Sequence, residues 1–314
     1  MSIVVTGSIA FDNILDFPGR FEDHILPDQI HHLSVSFLVK TMRRQRGGVA
    51  GNVCYTLGLL GERPLLFSTV GQDFEGYRRE VEVAGVDTSA VRVLPDDYTA
   101  TCYITTDLVN NQITGFYPGA MANDVALSLH DLPRSALDLL IISATEPEAM
   151  VRFAAEAQAL GVPYVYAPAQ QIIRLSGPEL AAGATGAKVI IANDYEYEMI
   201  RNKTGLSPRD LLAHGETVVI TKGAAGSEIQ TRDAVLEIPI APPIAVVDPT
   251  GAGDAYCAGF VYGLRRGLPL AQVGRVAALA AVYVIEVYGT QAHHYTRPEF
   301  AARYAAAFGE RIDL

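Results

Sequence analysis

The stretch DPTGAGD, residues 248–254, places small residues and two carboxylates directly before an apolar run of helical character. The N-terminus of a helix leaves backbone N–H groups unpaired and carries partial positive charge, so Gly251, Ala252 and Gly253 would let an anion approach those groups. Asp254 would repel such an anion, but it could act as a base toward a hydroxyl that attacks a phosphoryl group held by the same loop. The alternative is that Asp254 only stabilises the first helical turn.

A second pair of candidate residues, Asn193 and Glu196, lies three positions apart at a predicted strand-to-helix junction. Residues at this spacing share one side of a helix, and both offer hard oxygen ligands suited to hydrated Mg²⁺. The same pattern is that of a capping box, in which Asn at the helix start and Glu three residues later satisfy each other's backbone N–H groups. The two interpretations are compatible.

These residues need a scaffold of strands and helices to bring them together. Apolar runs rich in β-branched residues predict strands at 3–5 (read as one buried strand over 3–11), 65–70, 139–142, 164–166, 189–191 and 218–221. Stretches of helical length predict helices at 53–60, 147–160, 251–265, 270–287 and 298–308. Buried strands that alternate with helices favour an α/β fold with a mostly parallel sheet.

Two segments interrupt this alternation. Residues 12–46 contain no good helix but include HHLSVSFLVK (31–40), whose alternation predicts an exposed strand. Residues 98–117 predict a hairpin, with Thr-, Tyr- and Ile-rich arms around Asn110 and Asn111. The two segments could pair into a small second sheet; the alternative is that they are ordinary surface hairpins.

Composition limits the class of protein. The chain has 314 residues, 49% of them hydrophobic and 19% charged, which suits one large core with or without a small appendage. No apolar stretch is long enough for a membrane span, the amino terminus has no signal-peptide pattern, and three scattered cysteines favour a reducing cytoplasm. The formal charge of 24 − 35 = −11 argues against nucleic-acid binding.

Five motifs together resemble one known family. DPTGAGD is similar to the D-T-x-G-A-G-D signature of the PfkB (ribokinase-like) kinases, with Pro249 in a slot where Thr is commoner. GSIAFDNI (7–14), GGVAGNVCYTLGLLG (47–61), NDYE (193–196) and TKGAAG (221–226) agree with further family motifs in order and spacing. The resemblance implies a three-layer α/β/α core over 1–11, 47–95 and 119–314, and a β lid over 12–46 and 96–118.

The resemblance also implies roles for the phosphate-handling residues. Asp254 would take the proton from the acceptor's primary alcohol as its oxygen attacks the γ-phosphorus of ATP, while the N–H groups of 251–253 stabilise the transferred phosphoryl. Asn193 and Glu196 would position Mg²⁺ and phosphates through water. Contacts with ATP would come from Thr221, Gly223 and Gly226. The sequence contains no Walker lysine motif and no dinucleotide fingerprint.

On the acceptor side, the same resemblance implies that Asp12 binds vicinal hydroxyls, that Gly48 lets the backbone approach, and that Asn52 hydrogen-bonds the sugar. Taken alone, Asp12 would be a turn residue and Asn52 a helix cap. Asp248 and Thr250 would help to bind a monovalent cation such as K⁺, closed by the stretch 286–296, although a purely structural turn remains open. His293 and His294 are expected at the surface or in a loop.

Several features favour a nucleoside, and adenosine in particular, as the acceptor. The stretches 35–61, 115–121 and 286–300 resemble the bacterial and archaeal adenosine-kinase-like branch of the family. Phe37 and Phe116 could stack on a base, or could instead belong to the lid core or a dimer interface. No Lys or Arg lies between Arg92 and Arg134, where a phosphosugar kinase should hold the acceptor's phosphate, whereas KTMRRQR (40–46) is basic.

Two alternatives stay open at this stage. One is a kinase of the same family for a free sugar such as ribose or fructose. The other is a catalytically silent nucleoside-binding sensor, which would have no need of the base Asp254. The predicted lid strands would also leave open edges, which favours a homodimer through the lid.

Overall fold

The structure is a computed structural model that describes residues 2–25, 34–109 and 111–313. Within these ranges the strands are β1 (Ile3–Thr6), β2 (Ala10–Asp16), β3 (Thr41–Gly47), β4 (Leu65–Phe67), β5 (Thr69–Gly71), β6 (Arg92–Leu94), β7 (Ala100–Thr106), β8 (Gln112–Tyr117), β9 (Leu139–Ser143), β10 (Tyr164–Ala167), β11 (Val189–Asn193), β12 (Thr217–Thr221), β13 (Ser227–Gln230) and β14 (Val235–Ile238). The α-helices are α1 (Val49–Leu59), α2 (Glu75–Val83), α3 (Pro147–Leu160), α4 (Gly177–Thr185), α5 (Asp194–Thr204), α6 (Pro208–Leu212), α7 (Ala252–Arg265), α8 (Leu270–Ile285) and α9 (Arg297–Phe308).

The central sheet has eight strands in the order β14-β13-β12-β11-β10-β9-β1-β4. The pairs from β4 to β12 are parallel, and β13 and β14 continue the sheet as an antiparallel edge. The parallel strands are almost wholly buried because helices cover both faces of the sheet. The mostly parallel α/β architecture expected from the sequence is therefore confirmed.

Two hydrophobic cores lie on opposite faces of the central sheet. Along β1 and β9, alternate residues enter different cores: Val5 and Ile141 pack with α1, α2, α7, α8 and α9, whereas Val4 and Leu140 pack with α3, α4, α5 and α6. The alternation follows from the two-residue repeat of a strand, which sends successive side chains to opposite faces. The fold thus has three layers, with the ribokinase-like arrangement that the resemblance implied.

A separate small sheet has the order β3-β2-β7-β8. Strand β2 pairs with β3 antiparallel and with β7 parallel, and β7 pairs with β8 as the predicted hairpin. The second sheet is therefore confirmed, and its strands fall within the predicted lid segments except for residues 10, 11 and 47. The division of the chain into a core and a moving lid stays a prediction. Among the described residues, no helix is both long enough and apolar enough to span a bilayer.

Three strand predictions need correction, and the first two concern stretches that the fold divides between sheets. The stretch 3–11 is not one strand, because Gly7 separates β1 in the central sheet from β2 in the small sheet; Gly7 has φ 144° and a side chain there would meet Ser143 Oγ at 2.0 Å. The stretch 65–70 splits into β4 and β5, which join different sheets.

The alternating segment 31–40 was predicted as an exposed strand, and this is wrong for residues 34–40, which form no strand; residues 31–33 lie outside the described residues. The strand begins at Thr41 instead. The ring of Phe37 packs against Phe17 and Phe21, with centroids 4.8 and 5.0 Å apart. This aromatic cluster accounts for Phe37, which the alternation had assigned to a pleated strand.

Candidate active site

A cleft of about 1050 Å³ opens at the carboxyl ends of β1, β9, β10, β11 and β12, beneath the small sheet. This is the edge at which open α/β sheets bind their ligands. The cleft is lined by most of the residues singled out in the sequence: Asp12, Gly48, Asn52, Phe116, Asn193, Glu196, Thr221, Gly223, Thr250, Gly251, Ala252, Gly253 and Asp254. The structure therefore gathers both predicted halves of the site along one groove.

The loop before α7 has the geometry of an anion cradle. Gly251 has φ 82°, and a Cβ at this position would lie 2.9 Å from Thr290 Cβ, so only glycine fits the turn. The Ala252 N–H donates to the Pro249 carbonyl at 3.3 Å. The N–H groups of Gly251 and Gly253 have no hydrogen-bond partner among the described residues, and both residues line the cleft. Two unpaired amides at a helix N-terminus can bind a phosphoryl group.

Asp254 lies in the first turn of α7 and is partly buried. Burial raises its pKa from 3.8 to about 7, the nearby Glu196 charge adds to the rise, and a hydrogen bond from Asn52 opposes it. The Nδ2 of Asn52 donates to Asp254 Oδ2 at 2.7 Å. A carboxylate tuned to near neutrality is suited to accept a proton at physiological pH.

Asn52 is buried inside α1, where its side chain spans two halves of the site. While Nδ2 donates to Asp254, Oδ1 lies 2.8 Å from Thr290 Oγ1 and 2.9 Å from Gln291 Nε2, which both donate to it. The residue is therefore not a helix cap; Gly48 holds the N-cap position of α1.

The end of the cleft toward β1 combines a carboxylate and a close backbone turn. Asp12 lies on β2, and burial, followed by the charge of Asp248, raises its pKa. Gly48 has φ 87°, and a Cβ there would lie 2.6 Å from both the Ala10 nitrogen and the Ser8 carbonyl oxygen. The chain can make this turn beside Asp12 only because residue 48 has no side chain.

Asn193 and Glu196 do form a capping box at the start of α5. Asn193 Oδ1 accepts from the Glu196 N–H at 2.7 Å, and Glu196 Oε2 accepts from the Asn193 N–H at 2.9 Å. Burial raises the pKa of Glu196. The second carboxylate oxygen of Glu196 has no hydrogen-bond partner among the described residues, and the side chain lines the cleft, so this donor set fits a hydrated Mg²⁺ that is held mainly by phosphates.

An apolar recess of about 290 Å³ adjoins the cleft at Thr221, Gly223 and Gly253. Its other walls include Gly226, Ile240, Pro243, Val246, Ala281 and Ile285. Lys222 does not serve this recess as a free cation, because its Nζ lies 2.7 Å from Glu228 Oε2. The recess can take a flat apolar ring next to the anion cradle.

Three residues named from the sequence lie elsewhere. Phe37 packs with Phe17 and Phe21 and does not line the cleft. Asp248 accepts from the Thr250 N–H at 3.0 Å and the Gly289 N–H at 3.3 Å, so it joins two loops behind the cradle. His293, expected at the surface or in a loop, is in a loop but is buried against Tyr55, and burial lowers its pKa to about 4.

Sequence reasoning missed several polar residues that line the cleft, among them Glu146, Gln171 and Arg174. Arg174 donates to both carboxylate oxygens of Glu146, at 3.1 and 2.8 Å. Gln171 is 8% exposed, and its Oε1 has no partner among the described residues. The signal was available in APAQQIIR (167–174), a polar stretch that directly follows buried strand β10 at the edge where parallel strands end.

The chain matches the description pfkB family carbohydrate kinase over residues 12–297. It belongs to this family, and it is a phosphotransferase that uses a hydroxyl group as acceptor. The match extends from Asp12 on β2 to Arg297, the first residue of α9, so it includes most of both sheets and most of the cleft lining, but not β1.

Within the family, the chain is similar to nucleoside kinases. It is 33% identical to the nucleoside kinase of Methanothermobacter thermautotrophicus over 311 residues, which span 98% of this chain and 96% of the relative. The structure of Burkholderia thailandensis nucleoside kinase with inosine matches with a TM-score of 0.89 at 37% identity, over 99% of this chain and 100% of that one. The same enzyme with ADP-inosine matches with a TM-score of 0.85 at 40% identity, over 99% and 97%.

Proposed function

We propose that the chain transfers the γ-phosphoryl group of ATP to the 5′-hydroxyl of a nucleoside, with adenosine as the preferred acceptor. The observation that carries the proposal is the position of Asp254: a carboxylate with a pKa near 7 that lines the cleft next to the unpaired amides of Gly251 and Gly253. A base for the alcohol and an anion site for the phosphoryl group are the two parts that this reaction needs.

In the proposed mechanism, Asp254 accepts the proton of the 5′-hydroxyl while that oxygen forms a bond to the γ-phosphorus and the bond to the β–γ bridging oxygen breaks. ADP and the nucleoside 5′-monophosphate result, and the proton stays on Asp254 until solvent removes it. The amides of Gly251 and Gly253 hydrogen-bond the transferred phosphoryl oxygens. Mg²⁺, when bound near Glu196 through water, supplies charge neutralisation of the phosphates.

ATP fits the half of the cleft that lies toward β12. The apolar recess beside Thr221 and Gly223, with Gly226 in its wall, would hold the adenine ring, and the phosphates would then extend past Asn193 toward the cradle. The ADP in the complex of the Burkholderia thailandensis enzyme supports ATP as the donor. A monovalent cation such as K⁺ is proposed between the Asp248–Thr250 turn and the 286–296 stretch, where backbone carbonyls would complete the site.

The acceptor fits the half of the cleft that lies toward β1. Asp12 would bind the ribose 2′- and 3′-hydroxyls, with Asn52 and the Gly48 backbone beside it. Phe116 and Met121 line the same half and offer apolar surface to a base. The inosine in the complex of the Burkholderia thailandensis enzyme supports a purine nucleoside. The segments 12–46 and 96–118, which contribute most of the small sheet, are proposed to close as a lid and exclude water.

A panel of acceptors tests the proposal. The purified chain is incubated with ATP and Mg²⁺ and with adenosine, inosine, cytidine, ribose or fructose, and ADP production is measured. We expect nucleosides to be phosphorylated, with adenosine the fastest, and free sugars to give little ADP. Activity on a sugar alone would contradict the nucleoside acceptor. Binding of nucleosides without any ADP production would contradict the enzymatic role and favour a sensor.

A further inference from the structure

A continuous chain of buried polar groups connects Asp254 to the small sheet. From Asp254 it passes to Asn52, whose Oδ1 accepts from Gln291 Nε2 at 2.9 Å. The same Nε2 donates to Tyr77 Oη at 2.5 Å, and the Tyr77 hydroxyl donates to the Gly47 carbonyl at 2.8 Å. Gly47 is the last residue of β3, directly before the turn that enters α1, so the chain ends where the small sheet joins the core.

The hydrogen-bonded groups fit against α1 because residue 51 has no side chain. Gly51 precedes Asn52, and a Cβ at Gly51 would lie 1.9 Å from Tyr77 Oη and 3.1 Å from Gln291 Nε2. Tyr77 is 1% exposed and Gln291 3% exposed, so neither exchanges its partners freely with water. Any side chain at residue 51 would displace the Tyr77 hydroxyl from its hydrogen bonds with the Gly47 carbonyl and Gln291.

The chemistry of Gly47, Tyr77 and Gln291 fixes the direction of the hydrogen bonds that lead from β3 to Asn52. The Gly47 carbonyl can only accept, so the Tyr77 hydroxyl donates its one proton there and can only accept from Gln291. The amide nitrogen of Gln291 therefore faces inward and donates to Asn52 Oδ1. Asn52 must then turn its own NH₂ group toward Asp254, and a donor at that place favours the charged carboxylate.

We propose that Tyr77 and Gln291 are positioning residues. They link the position of the Gly47 carbonyl to the orientation of the Asn52 amide, and so keep Asp254, the general base, deprotonated while the small sheet is docked. The inference rests on the proposed role of Asp254 as the base. A movement of β3 that breaks the Tyr77–Gly47 bond frees the Tyr77 proton, and Gln291 and Asn52 can then reverse their amides. The base would be ready for the acceptor's proton only with the small sheet in place.

Other groups lie near these hydrogen-bonded residues and must be considered in any pH experiment. Glu196 on α5 and Cys257 on α7 are the titratable groups coupled to Asp254. Around Tyr77 the charged or titratable neighbours are Cys54, Arg46 and Asp12. Thr290 Oγ1 lies 3.0 Å from the Arg46 carbonyl and 2.8 Å from Asn52 Oδ1, which gives β3 a second contact with Asn52. None of these groups is changed in the variants below.

The test is the pH dependence of kcat/KM for the acceptor, measured by ADP release with the 314-residue chain. Tyr77→Phe removes the link to Gly47, and Gln291→Met removes the donor to Asn52 at similar size. In both variants the donation from Gln291 that helps to hold the Asn52 amide is lost or no longer fixed in direction, so that only Thr290 opposes its reversal; the carboxylate then loses a fixed donor, and the pKa of Asp254 rises. We expect the acidic limb of the profile to move upward by about one pH unit, the effect of one hydrogen bond to a charged group.

Tyr262→Phe is the matched control. Tyr262 lies on α7, the helix that carries Asp254, and its hydroxyl is buried with no partner among the described residues. We expect the limb of this variant to coincide with that of the unchanged chain. A merely structural role of Tyr77 would lower thermal stability or kcat at every pH and leave the limb in place.

The outcomes distinguish the proposed link through Tyr77 and Gln291 from the proposed role of Asp254 as the base. An unmoved limb in Gln291→Met, whether or not Tyr77→Phe folds, contradicts the link. So does an equal shift in Tyr262→Phe. Undiminished turnover in Asp254→Asn would contradict the proposed base itself. Loss of turnover in Asp254→Asn together with unmoved limbs in the other variants would overturn the link alone.

Discussion

At the scale of single residues, the burial of Asp254 has two consequences. It brings the pKa of the carboxyl to about 7, which suits a base, and it places a charge where the fold solvates it poorly. A group whose pKa rises on folding binds its proton more tightly in the native state than in the unfolded chain. The charged form of Asp254 therefore lowers stability at high pH, and the effect fades as the pH falls toward the ordinary value of 3.8.

Because the charged carboxylate lowers stability at high pH, we predict that Asp254→Asn stabilises the chain. Each pKa unit corresponds to about 1.4 kcal/mol, so even part of the rise should increase the free energy of unfolding by about 2 kcal/mol at pH 8. The gain should shrink steadily between pH 7 and pH 4. Denaturant unfolding at several pH values measures it, with Asp233→Asn on the exposed surface as the control. A variant less stable than the parent at pH 8 would show that Asp254 is well solvated.

At the scale of elements, the site depends on short turns that join the two sheets to the helices. The turn at Gly48 connects β3 to α1 and lies against the backbone of residues 8–10, which connects β1 to β2. The first entry of the chain into the small sheet and its first exit therefore meet at one glycine. Its φ of 87° is accessible to glycine and costly for any other residue.

Gly48→Ala is expected to be strongly destabilising. The added Cβ would meet backbone atoms at 2.6 Å, which cannot move away as a flexible side chain would, so we expect a loss of about 3 kcal/mol or more in the free energy of unfolding. Gly205→Ala is the control, because Gly205 has φ 73° but open space around it, and we expect a loss of only about 1 kcal/mol. Equal losses in the two variants would show that backbone strain alone, without the contact, accounts for Gly48.

Elements with a strong local pattern were predictable from the sequence. The helix predicted at 147–160 is α3 as observed, because Pro147 at its first turn and Gly161 at its end mark both limits. Residues 65–70 (LLFSTV) read as one strand because apolar and β-branched residues follow one another with no Gly or Pro between them, yet β4 and β5 pair in different sheets. Such pairing depends on distant partners that no local pattern specifies.

The same limit applies to the site. Asp254 and the cradle could be found because their chemistry lies in consecutive residues. Gln291 and Tyr77 could not be found in this way, because they act through Asn52 and are distant from it in sequence. Gln291 is 239 residues away from Asn52. His293 lies in a loop, as predicted, but its burial could not be read from the sequence, because a polar loop residue is expected to be exposed and only the packing of Tyr55 against it shows otherwise.

At the scale of the whole molecule, the small sheet leaves two strands at its edges, β3 and β8. All six residues of β8 are exposed, including Ile113 at 44%, Phe116 at 53% and Tyr117 at 47%. An exposed edge with apolar side chains is a site for pairing with another chain. We therefore keep the prediction of a homodimer through the small sheet.

Sedimentation equilibrium tests this prediction. We expect the unchanged chain to be a dimer, and Ile113→Lys to shift it toward monomer because a charge on the edge opposes pairing. Val235→Lys is the control, since Val235 is 60% exposed on β14, the edge strand of the central sheet. A monomeric parent chain, or equal dissociation in both variants, would contradict an interface at β8.

The account of the whole molecule depends on Asp254 accepting the proton of an alcohol. The most direct measurement is ADP release by Asp254→Asn with ATP, Mg²⁺ and adenosine, alongside calorimetric binding of adenosine to the same variant. We predict that turnover falls by about a hundredfold or more, the range expected for loss of a general base, while adenosine still binds. Turnover equal to that of the unchanged chain would contradict the account.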